Sequence, residues 1–204
     1  MLYSELQCSE AIHKAVERMG FAEMTEIQEK TIPVMLAGHD VIAKAPTGTG
    51  KTCAFGIPVA EHIVPENKYP QAVIMAPTRE LAQQIADELT QLTYFMPEVQ
   101  VACVYGGANM EKQAKCLAEG CQIVVATPGR LMDHYKHHTI DISHVTQIVL
   151  DEADEMLNMG FYKDVRHIIE MMKARKALSM FSATISREVM DIGWLYQHNA
   201  EEIT

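Results

Sequence analysis

The strongest indication of the fold is the segment Asp40-Val-Ile-Ala-Lys-Ala-Pro-Thr-Gly-Thr-Gly-Lys-Thr52. An apolar strand, residues 41–43, runs into a loop with glycines at 48 and 50, and a helix is predicted to begin near Thr52. Glycines let successive N–H groups point inward, and the helix N-terminus adds partial positive charge. This order predicts a cradle for phosphate groups. A glycine-rich turn with an incidental lysine is the alternative.

The end of this loop carries side chains that suit a nucleoside triphosphate. Lys51 can reach the β- and γ-phosphates, and the Thr52 hydroxyl suits a Mg²⁺ ligand. The general pattern, Gly-x4-Gly-Lys-[Ser/Thr], has a glycine where Ala45 stands here. The expected phosphate-binding residues are Ala45, Thr47, Gly48, Thr49, Gly50, Lys51 and Thr52.

The composition is that of one ordinary globular domain. Of the 204 residues, 48% are hydrophobic and 22% are charged, which suits one well-buried domain and is too little chain for two. We expect no membrane span, because there is no apolar run of about eighteen residues. The N-terminus lacks the features of a signal peptide.

Charge and cysteine content narrow the functional classes. The net charge of −10 argues mildly against binding nucleic acid over the whole surface, but it leaves room for a local basic groove. The five cysteines include no Cys-x-x-Cys pair. We expect reduced thiols and therefore a cytoplasmic protein.

Helical and extended patterns alternate along the chain. Before the loop, the spacing predicts a helix over residues 4–19 and another over 26–36, with Thr25 as N-cap and Pro33 as a kink or break. Later helices are predicted over residues 52–64, 79–94, 109–118, 128–136, 161–172 and 187–197. Strands are predicted over residues 41–43, 72–76, 100–105, 122–126, 147–150 and 177–181. Because these strands are almost continuously apolar, we predict an α/β fold with a doubly wound parallel sheet and helices on both faces.

Polar turns rich in glycine, proline, threonine or acid follow these strands. They comprise residues 45–52, 77–80, 106–107, 127–130, 151–154 and 182–184. In an open parallel sheet such turns emerge on the same carboxyl edge, which is where these folds bind ligands. The sequence therefore predicts a single composite site.

Acidic residues follow the apolar run 148–150. Asp151 is placed to hold Mg²⁺, usually through water, and Glu152 can orient and deprotonate a water for attack on a γ-phosphate. Asp154, one step into the turn, could accept hydrogen bonds from Ser182 and Thr184. A solvated acidic turn is the alternative interpretation.

Taken together, these turns resemble the motifs of the first RecA-like domain of DEAD-box RNA helicases, in a bacterial-looking form, over essentially all 204 residues. The motifs are Ala45-Pro-Thr-Gly-Thr-Gly-Lys-Thr52, Pro77-Thr-Arg-Glu-Leu81, Gly106-Gly107, Thr127-Pro-Gly-Arg130, Asp151-Glu-Ala-Asp154 and Ser182-Ala-Thr184. The resemblance implies one RecA-like P-loop NTPase domain over residues 1–204, with a Q-motif element in residues 1–30 and the core in 31–204. It also implies ATP and Mg²⁺ as cofactors, and the alanine at position 45 is the usage of this family.

The resemblance adds a residue that recognises adenine. Gln28 matches the glutamine that pairs with the adenine edge in this family, and Tyr3 matches its aromatic partner. A glutamine amide offers a donor and an acceptor, which suit adenine N6 and N7. Two positions depart from the family pattern: Met24 replaces a common proline, and Tyr3 replaces the usual phenylalanine.

The family resemblance also assigns contacts with single-stranded RNA. They map onto Pro77, Thr78, Arg79, Gly106, Gly107, Thr127, Gly129 and Arg130. Small residues, exposed backbone and arginines can hold phosphates and 2′-hydroxyls, but they do not read base edges. The implied binding is therefore independent of RNA sequence. A surface arginine at a helix start is the alternative for Arg79 and Arg130.

In this family a second RecA-like domain supplies arginines that stabilise the transferring phosphoryl group. We therefore expect this chain to be one monomeric lobe of a larger enzyme, with Asp154, Ser182 and Thr184 coupling hydrolysis to duplex unwinding. Alone, it is expected to bind adenine nucleotides modestly and to hydrolyse ATP barely. An ATP-dependent DNA translocase and a non-enzymatic RNA clamp gated by nucleotide remain as alternatives.

Other features are interpreted as structural. His134, His137 and His138 are expected at a solvated helix end rather than in a metal site, because too few other ligands lie nearby in sequence. Trp194 is expected to be a half-buried anchor on the last helix.

Overall fold

The computed structural model describes residues 1–46 and 50–204. Its strands are β1 (Val41–Lys44), β2 (Ala72–Met75), β3 (Val101–Val104), β4 (Ile123–Ala126), β5 (Gln147–Asp151), β6 (Ala177–Ser182) and β7 (Glu201–Ile203). Its α-helices are α1 (Glu10–Arg18), α2 (Glu26–Leu36), α3 (Lys51–Glu61), α4 (Arg79–Leu92), α5 (Met110–Glu119), α6 (Pro128–Lys136), α7 (Ala153–Asn158), α8 (Tyr162–Met171) and α9 (Arg187–Tyr196). A short 3-10 helix, Tyr3–Glu5, precedes α1.

Within the described residues, seven strands form one sheet in the order β3-β4-β2-β5-β6-β1-β7, and every neighbouring pair is parallel. Strand alternation sends successive side chains to opposite faces, so both faces need an apolar cover. Val41 and Ala43 of β1 pack into one core, whereas Ile42 between them packs into the other. The predicted parallel α/β fold is confirmed.

The helices divide between the two faces. Helices α1 to α4 pack on one face, where Ile12, Ile32, Phe55 and Leu89 are fully buried or nearly so. Helices α5 to α9 pack on the other, and their buried residues include Leu131 and Ile169. None of the helices in the described part of the chain is both long and apolar enough to cross a membrane.

One local prediction near the N-terminus was wrong. The segment 4–19 is not one helix: the 3-10 helix ends at Glu5, and α1 begins after Ser9, whose side chain accepts from the backbone N–H of Ile12. This N-cap starts a new helix because it satisfies a donor that has no partner inside the helix. Helix α2 has its predicted bounds, Glu26–Leu36, with Thr25 as N-cap, and Pro33 lies inside it without breaking it.

Later in the chain, two elements were missed and one side chain was misplaced. The predicted acidic turn continues directly into the short helix α7, and the acidic segment Glu201–Ile203 pairs with β1 as strand β7. Trp194 is not half-buried, because 83% of its surface is exposed on α9.

Candidate functional site

The described residues of the six predicted turns lie at the carboxyl edge of the sheet, because the strands that precede them are parallel. The strand order divides this edge into two halves. Strands β3, β4 and β2 are neighbours and precede the turns with glycine, threonine and arginine. Strands β5, β6 and β1 follow, and they precede the turns with acid, serine and lysine.

A buried ion pair joins the glycine-rich loop to the acidic turn. Lys51 is the first residue of α3, and its Nζ lies 3.0 Å from Oδ1 of Asp151, the last residue of β5. Only 6% of the Lys51 side chain and none of that of Asp151 is exposed. Burial raises the pKa of Asp151 above its usual value, although the neighbouring Lys51 ammonium opposes that shift.

The second carboxylate oxygen of Asp151 bears on metal binding. Among the described residues, Oδ2 is buried and has no hydrogen-bond partner. A buried unpaired carboxylate oxygen is costly unless a ligand satisfies it. Thr52, half-buried on the first turn of α3, adds a hydroxyl next to Lys51. These donors fit a hard cation such as Mg²⁺, which uses few protein ligands when phosphates supply the rest.

Glu152 occupies a constrained position between β5 and α7. Its φ of 49° and ψ of 50° are left-handed, and its N–H donates to Asp151 Oδ1 at 2.9 Å. A residue with a Cβ pays about 1–2 kcal/mol in that region, so the surrounding structure must hold the turn in place. The turn fixes the direction in which the partly exposed Glu152 side chain leaves the sheet.

Gln28 is joined to the glycine-rich loop. It forms a capping box with Thr25 at the start of α2, where the Thr25 N–H donates to Gln28 Oε1 at 3.0 Å. The Tyr3 hydroxyl donates to the same oxygen, and Gln28 Nε2 donates to the Gly50 carbonyl at 3.0 Å. Gln28 is 3% exposed, and Tyr3 is 5% exposed and stacks beside Phe21.

A cavity of about 500 Å³ opens next to this element. It lies between the start of α2 and the residues after β1, and its lining includes Ile27, Lys30 and Ala45. The Lys30 ammonium is paired with the Glu26 carboxylate at 2.7 Å, and the largely apolar wall suits a flat ring. Of the predicted phosphate-binding residues, Thr47, Gly48 and Thr49 lie outside the described residues.

Asp154 on α7 is bonded to the turn after β6. The Thr184 N–H and hydroxyl both donate to Asp154 Oδ2, at 3.1 and 2.8 Å. Ser182 acts differently from expectation: its Oγ accepts from the Asp154 backbone N–H at 3.1 Å and donates to the Thr184 carbonyl at 2.6 Å. Burial alone would raise the pKa of Asp154, but the hydrogen bonds that its carboxylate accepts from the Thr184 hydroxyl and N–H outweigh burial and lower the pKa.

The other half of the edge presents mostly small residues and backbone. Thr78 is the N-cap of α4 and, like the following Arg79, is exposed, whereas Pro77 is buried. The Arg79 guanidinium lies 4.7 Å from the centre of the Tyr105 ring. Gly106 and Gly107 follow β3 and are exposed.

The turn after β4 is more enclosed. Thr127 is 9% exposed at the N-cap of α6, and Gly129 in its first turn is half-buried. Arg130 is not a free surface arginine: its Nη1 donates to the Ala108 carbonyl at 2.9 Å and to Gln113 Oε1 at 3.0 Å. The guanidinium is therefore held against the glycine turn.

His134 is a correction to the sequence interpretation. It is fully buried, with Nε2 3.0 Å from Gln113 Oε1 and Nδ1 2.7 Å from the Thr139 hydroxyl. Burial and the nearby Arg130 charge lower the pKa of His134, so the ring is neutral. His137 and His138 are exposed, as expected. The four-residue spacing from Arg130 to His134 puts both on one helix face, but that spacing does not point to Gln113 on α5.

Comparisons with known proteins agree with this arrangement. The family model described as "DEAD/DEAH box helicase" matches residues 25–192. The chain is 47% identical over 203 residues to the "ATP-dependent RNA helicase CshA" of Limosilactobacillus reuteri, covering 100% of this chain and 41% of that protein. It is 41% identical over 202 residues to the "ATP-dependent RNA helicase DeaD" of Mycobacterium tuberculosis, covering 99% of this chain and 36% of that protein.

A solved structure shares the fold. The crystal structure described as a "DEAD box protein from the hyperthermophile Methanococcus jannaschii" has a TM-score of 0.92 and 40% sequence identity, and it covers 100% of this chain and 55% of that one. The chain thus spans about two fifths of the length of the curated relatives that it matches.

Proposed function

Because the chain belongs to the DEAD/DEAH-box helicase family, we propose that it is the ATP-binding lobe of a cytoplasmic ATP-dependent RNA helicase. The observation that carries this proposal is the buried contact between Lys51 and Asp151, 3.0 Å apart at the carboxyl edge of the sheet. A lysine at a helix N-terminus facing an acid at a strand end is the arrangement in which P-loop NTPases bind and cleave nucleoside triphosphates.

Each residue of the nucleotide half has a role in this proposal. Lys51 leaves Asp151 to pair with the β- and γ-phosphates, while backbone N–H groups at the start of α3 hold phosphate oxygens. Thr52 and Asp151 would hold Mg²⁺, which neutralises charge on the β- and γ-phosphates when bound. Glu152 orients a water for in-line attack and accepts its proton.

Adenine recognition is assigned to the Q-motif element. Gln28 Oε1 already accepts from Thr25 N–H and from the Tyr3 hydroxyl, so its Nε2 is the better placed group to meet an adenine acceptor. The same nitrogen donates to Gly50, which supports a link between recognition of the base and the shape of the phosphate loop.

The glycine and threonine turns are proposed to hold the backbone of single-stranded RNA. The exposed N–H groups of Gly106 and Gly107 and the guanidinium groups of Arg79 and Arg130 are donors that match phosphates and 2′-hydroxyls. Contacts of this kind do not depend on base identity. Binding should therefore be independent of sequence.

The curated relatives are more than twice as long as this chain, which supports a partner domain. We assign the missing catalytic arginines and the other half of the RNA groove to a second RecA-like domain, and we call a protein with both domains the two-lobe protein. Closure of the lobes around ATP and RNA would bend the bound strand, and hydrolysis would release it. Loss of an arginine finger typically lowers turnover by a factor of about 10³–10⁵, so the chain alone should hydrolyse ATP barely.

Two substitutions test the nucleotide roles separately. Lys51→Ala should weaken binding of a fluorescent ATP analogue to the chain at least about tenfold, because a charge-assisted contact is lost. Glu152→Gln should keep that affinity but slow ATP hydrolysis by the two-lobe protein at least about a hundredfold, because the general base is lost. Lys173→Ala, at an exposed lysine before β6, is the matched control. Unchanged ATP affinity in the Lys51 variant would refute the proposal.

The alternatives are separated by simple assays of the two-lobe protein. An ATP-dependent DNA translocase would bind single-stranded DNA at least as tightly as RNA of the same sequence. A non-enzymatic RNA clamp would bind RNA in response to ATP but would not turn ATP over. We expect preference for RNA together with RNA-stimulated hydrolysis.

A further inference from the structure

The Gly106-Gly107 turn is fixed by contacts to the carbonyl groups on either side of it. Neither glycine has a heavy atom within 4 Å of where a Cβ would be, so side-chain packing does not shape the turn. Gln113 Nε2 donates to the Tyr105 carbonyl at 3.0 Å, just before the glycines. Arg130 Nη1 donates to the Ala108 carbonyl at 2.9 Å, just after them.

Gln113 connects these two contacts. Its Oε1 accepts from Arg130 Nη1 at 3.0 Å, so one amide both holds the Tyr105 carbonyl and orients the guanidinium. Both hydrogens of Arg130 Nη1 are thereby used within the protein. Among the described residues, Nη2 has no hydrogen-bond partner, which leaves it as a donor for a phosphate.

His134 is hydrogen-bonded to the Gln113 side chain and helps to fix it. Because Gln113 Oε1 can only accept, the neutral ring carries its proton on Nε2 and donates it across 3.0 Å. The Thr139 hydroxyl lies 2.7 Å from Nδ1 and fixes the ring. Gln113 is 8% exposed and His134 is fully buried, so neither is placed to contact RNA itself.

We propose that Gln113 and His134 are positioning residues for RNA binding: they fix the Gly106-Gly107 turn and the Arg130 guanidinium in the geometry that receives the RNA backbone. This inference rests on the proposed RNA-binding function. It assigns a role in that function to two buried residues that would not touch the ligand.

The test is an NMR titration of the chain with a short oligouridine RNA, followed through the amide signals of Gly106 and Gly107. His134→Phe keeps the ring size but removes the donor to Gln113, and His134→Gln restores a donor at nearly the same position. Gln113→Ala should weaken RNA binding about tenfold, the effect of losing contacts to a charged group. His134→Phe should weaken it several-fold, and His134→Gln should stay within about twofold of the unaltered chain.

Two further measurements distinguish positioning from general damage. Affinity for a fluorescent ATP analogue should be unchanged in all variants, because the nucleotide half of the edge is built on other strands. The Gln113→Ala/His134→Phe double variant should bind RNA as Gln113→Ala does, because His134 acts only through Gln113.

Several results would overturn the inference. They are unchanged RNA affinity in folded variants, a parallel loss of ATP affinity, or a His134→Gln variant no better than His134→Phe. If Gln113→Ala does not fold, the two His134 variants decide the question alone. An unaltered chain that binds ATP but shows no shift with RNA would refute the RNA part of the proposed function, and this inference with it.

Discussion

At the scale of single residues, Gly50 connects the glycine-rich loop to Gln28, the residue proposed to recognise adenine. Its φ is +75°, and a Cβ there would lie 2.7 Å from Gln28 Nε2 and 3.3 Å from Thr25 Cγ2. Glycine is thus required twice, by the left-handed backbone and by the close approach of Gln28.

Gly50→Ala should therefore lower both stability and nucleotide affinity. Gly38→Ala is the matched control, because Gly38 has a φ of +85° but no heavy atom within 4 Å of the position that a Cβ would take. The control should lose about 1 kcal/mol of unfolding free energy from the backbone alone. Gly50→Ala should lose more and should bind a fluorescent ATP analogue less tightly. If urea denaturation shows the same loss of unfolding free energy in both variants, the Gln28 side chain moves aside at no cost in stability.

Sequence patterns predict some of these residues and miss others. Residues at the carboxyl edge of the sheet, such as Lys51 and Asp151, could be predicted from the sequence because each lies at or just after the end of a recognisable strand. The buried contacts of His134 could not, since its partner Gln113 is 21 residues away and lies on another helix. Trp194 was misplaced because hydrophobicity predicts average burial, and a helix that covers a sheet on one side keeps one face in water.

At the scale of elements, the connection from β5 to α7 holds Glu152 in a left-handed conformation with φ 49°. The turn was recognised from sequence, but the helix that follows was not, because its six residues are too few for a clear helical period. Strand β7 was missed because Glu201 and Glu202 hide the extended pattern. The longer apolar strands were predicted well, since each is buried on both faces and reads as a continuous run.

Replacing Glu152 should reveal the strain in this connection. Glu152→Gly and Glu152→Ala both remove the side chain, but only alanine keeps the Cβ that disfavours the left-handed region. The glycine variant should therefore be more stable than the alanine variant by about 1 kcal/mol in chemical unfolding. Both should lose ATP hydrolysis equally in the two-lobe protein. An alanine variant as stable as the glycine variant would mean that the backbone at position 152 leaves the left-handed conformation without loss of stability.

At the scale of the whole molecule, the sheet places the turns proposed to hold RNA beside the turns proposed to hold the nucleotide. The bonds from Thr184 to Asp154 link the turn after β6 to the helix that begins beside Glu152. This link joins the acidic turn to the turn after β6. It supports the coupling role proposed for Asp154, Ser182 and Thr184.

Replacing Ser182 and Thr184 together with alanine should uncouple the two activities of the two-lobe protein. RNA-stimulated ATP hydrolysis should persist, because Lys51, Asp151 and Glu152 are intact, while duplex unwinding should be lost. Thr184→Ser, which keeps the hydroxyl that donates to Asp154 at 2.8 Å, is the matched control and should retain both. A proportional fall of hydrolysis and unwinding would contradict a coupling role.

The position of β1 has a consequence for how the protein is made. This strand leads into the phosphate loop, yet it pairs only with β6 and β7 within the described sheet, which begin at Ala177 and Glu201. The chain emerges from the ribosome N-terminus first, so β1 is exposed early. The strands that pair with it are synthesised more than a hundred residues later. Nascent chains should therefore acquire the proposed ability to hold ATP only after β7 has been synthesised.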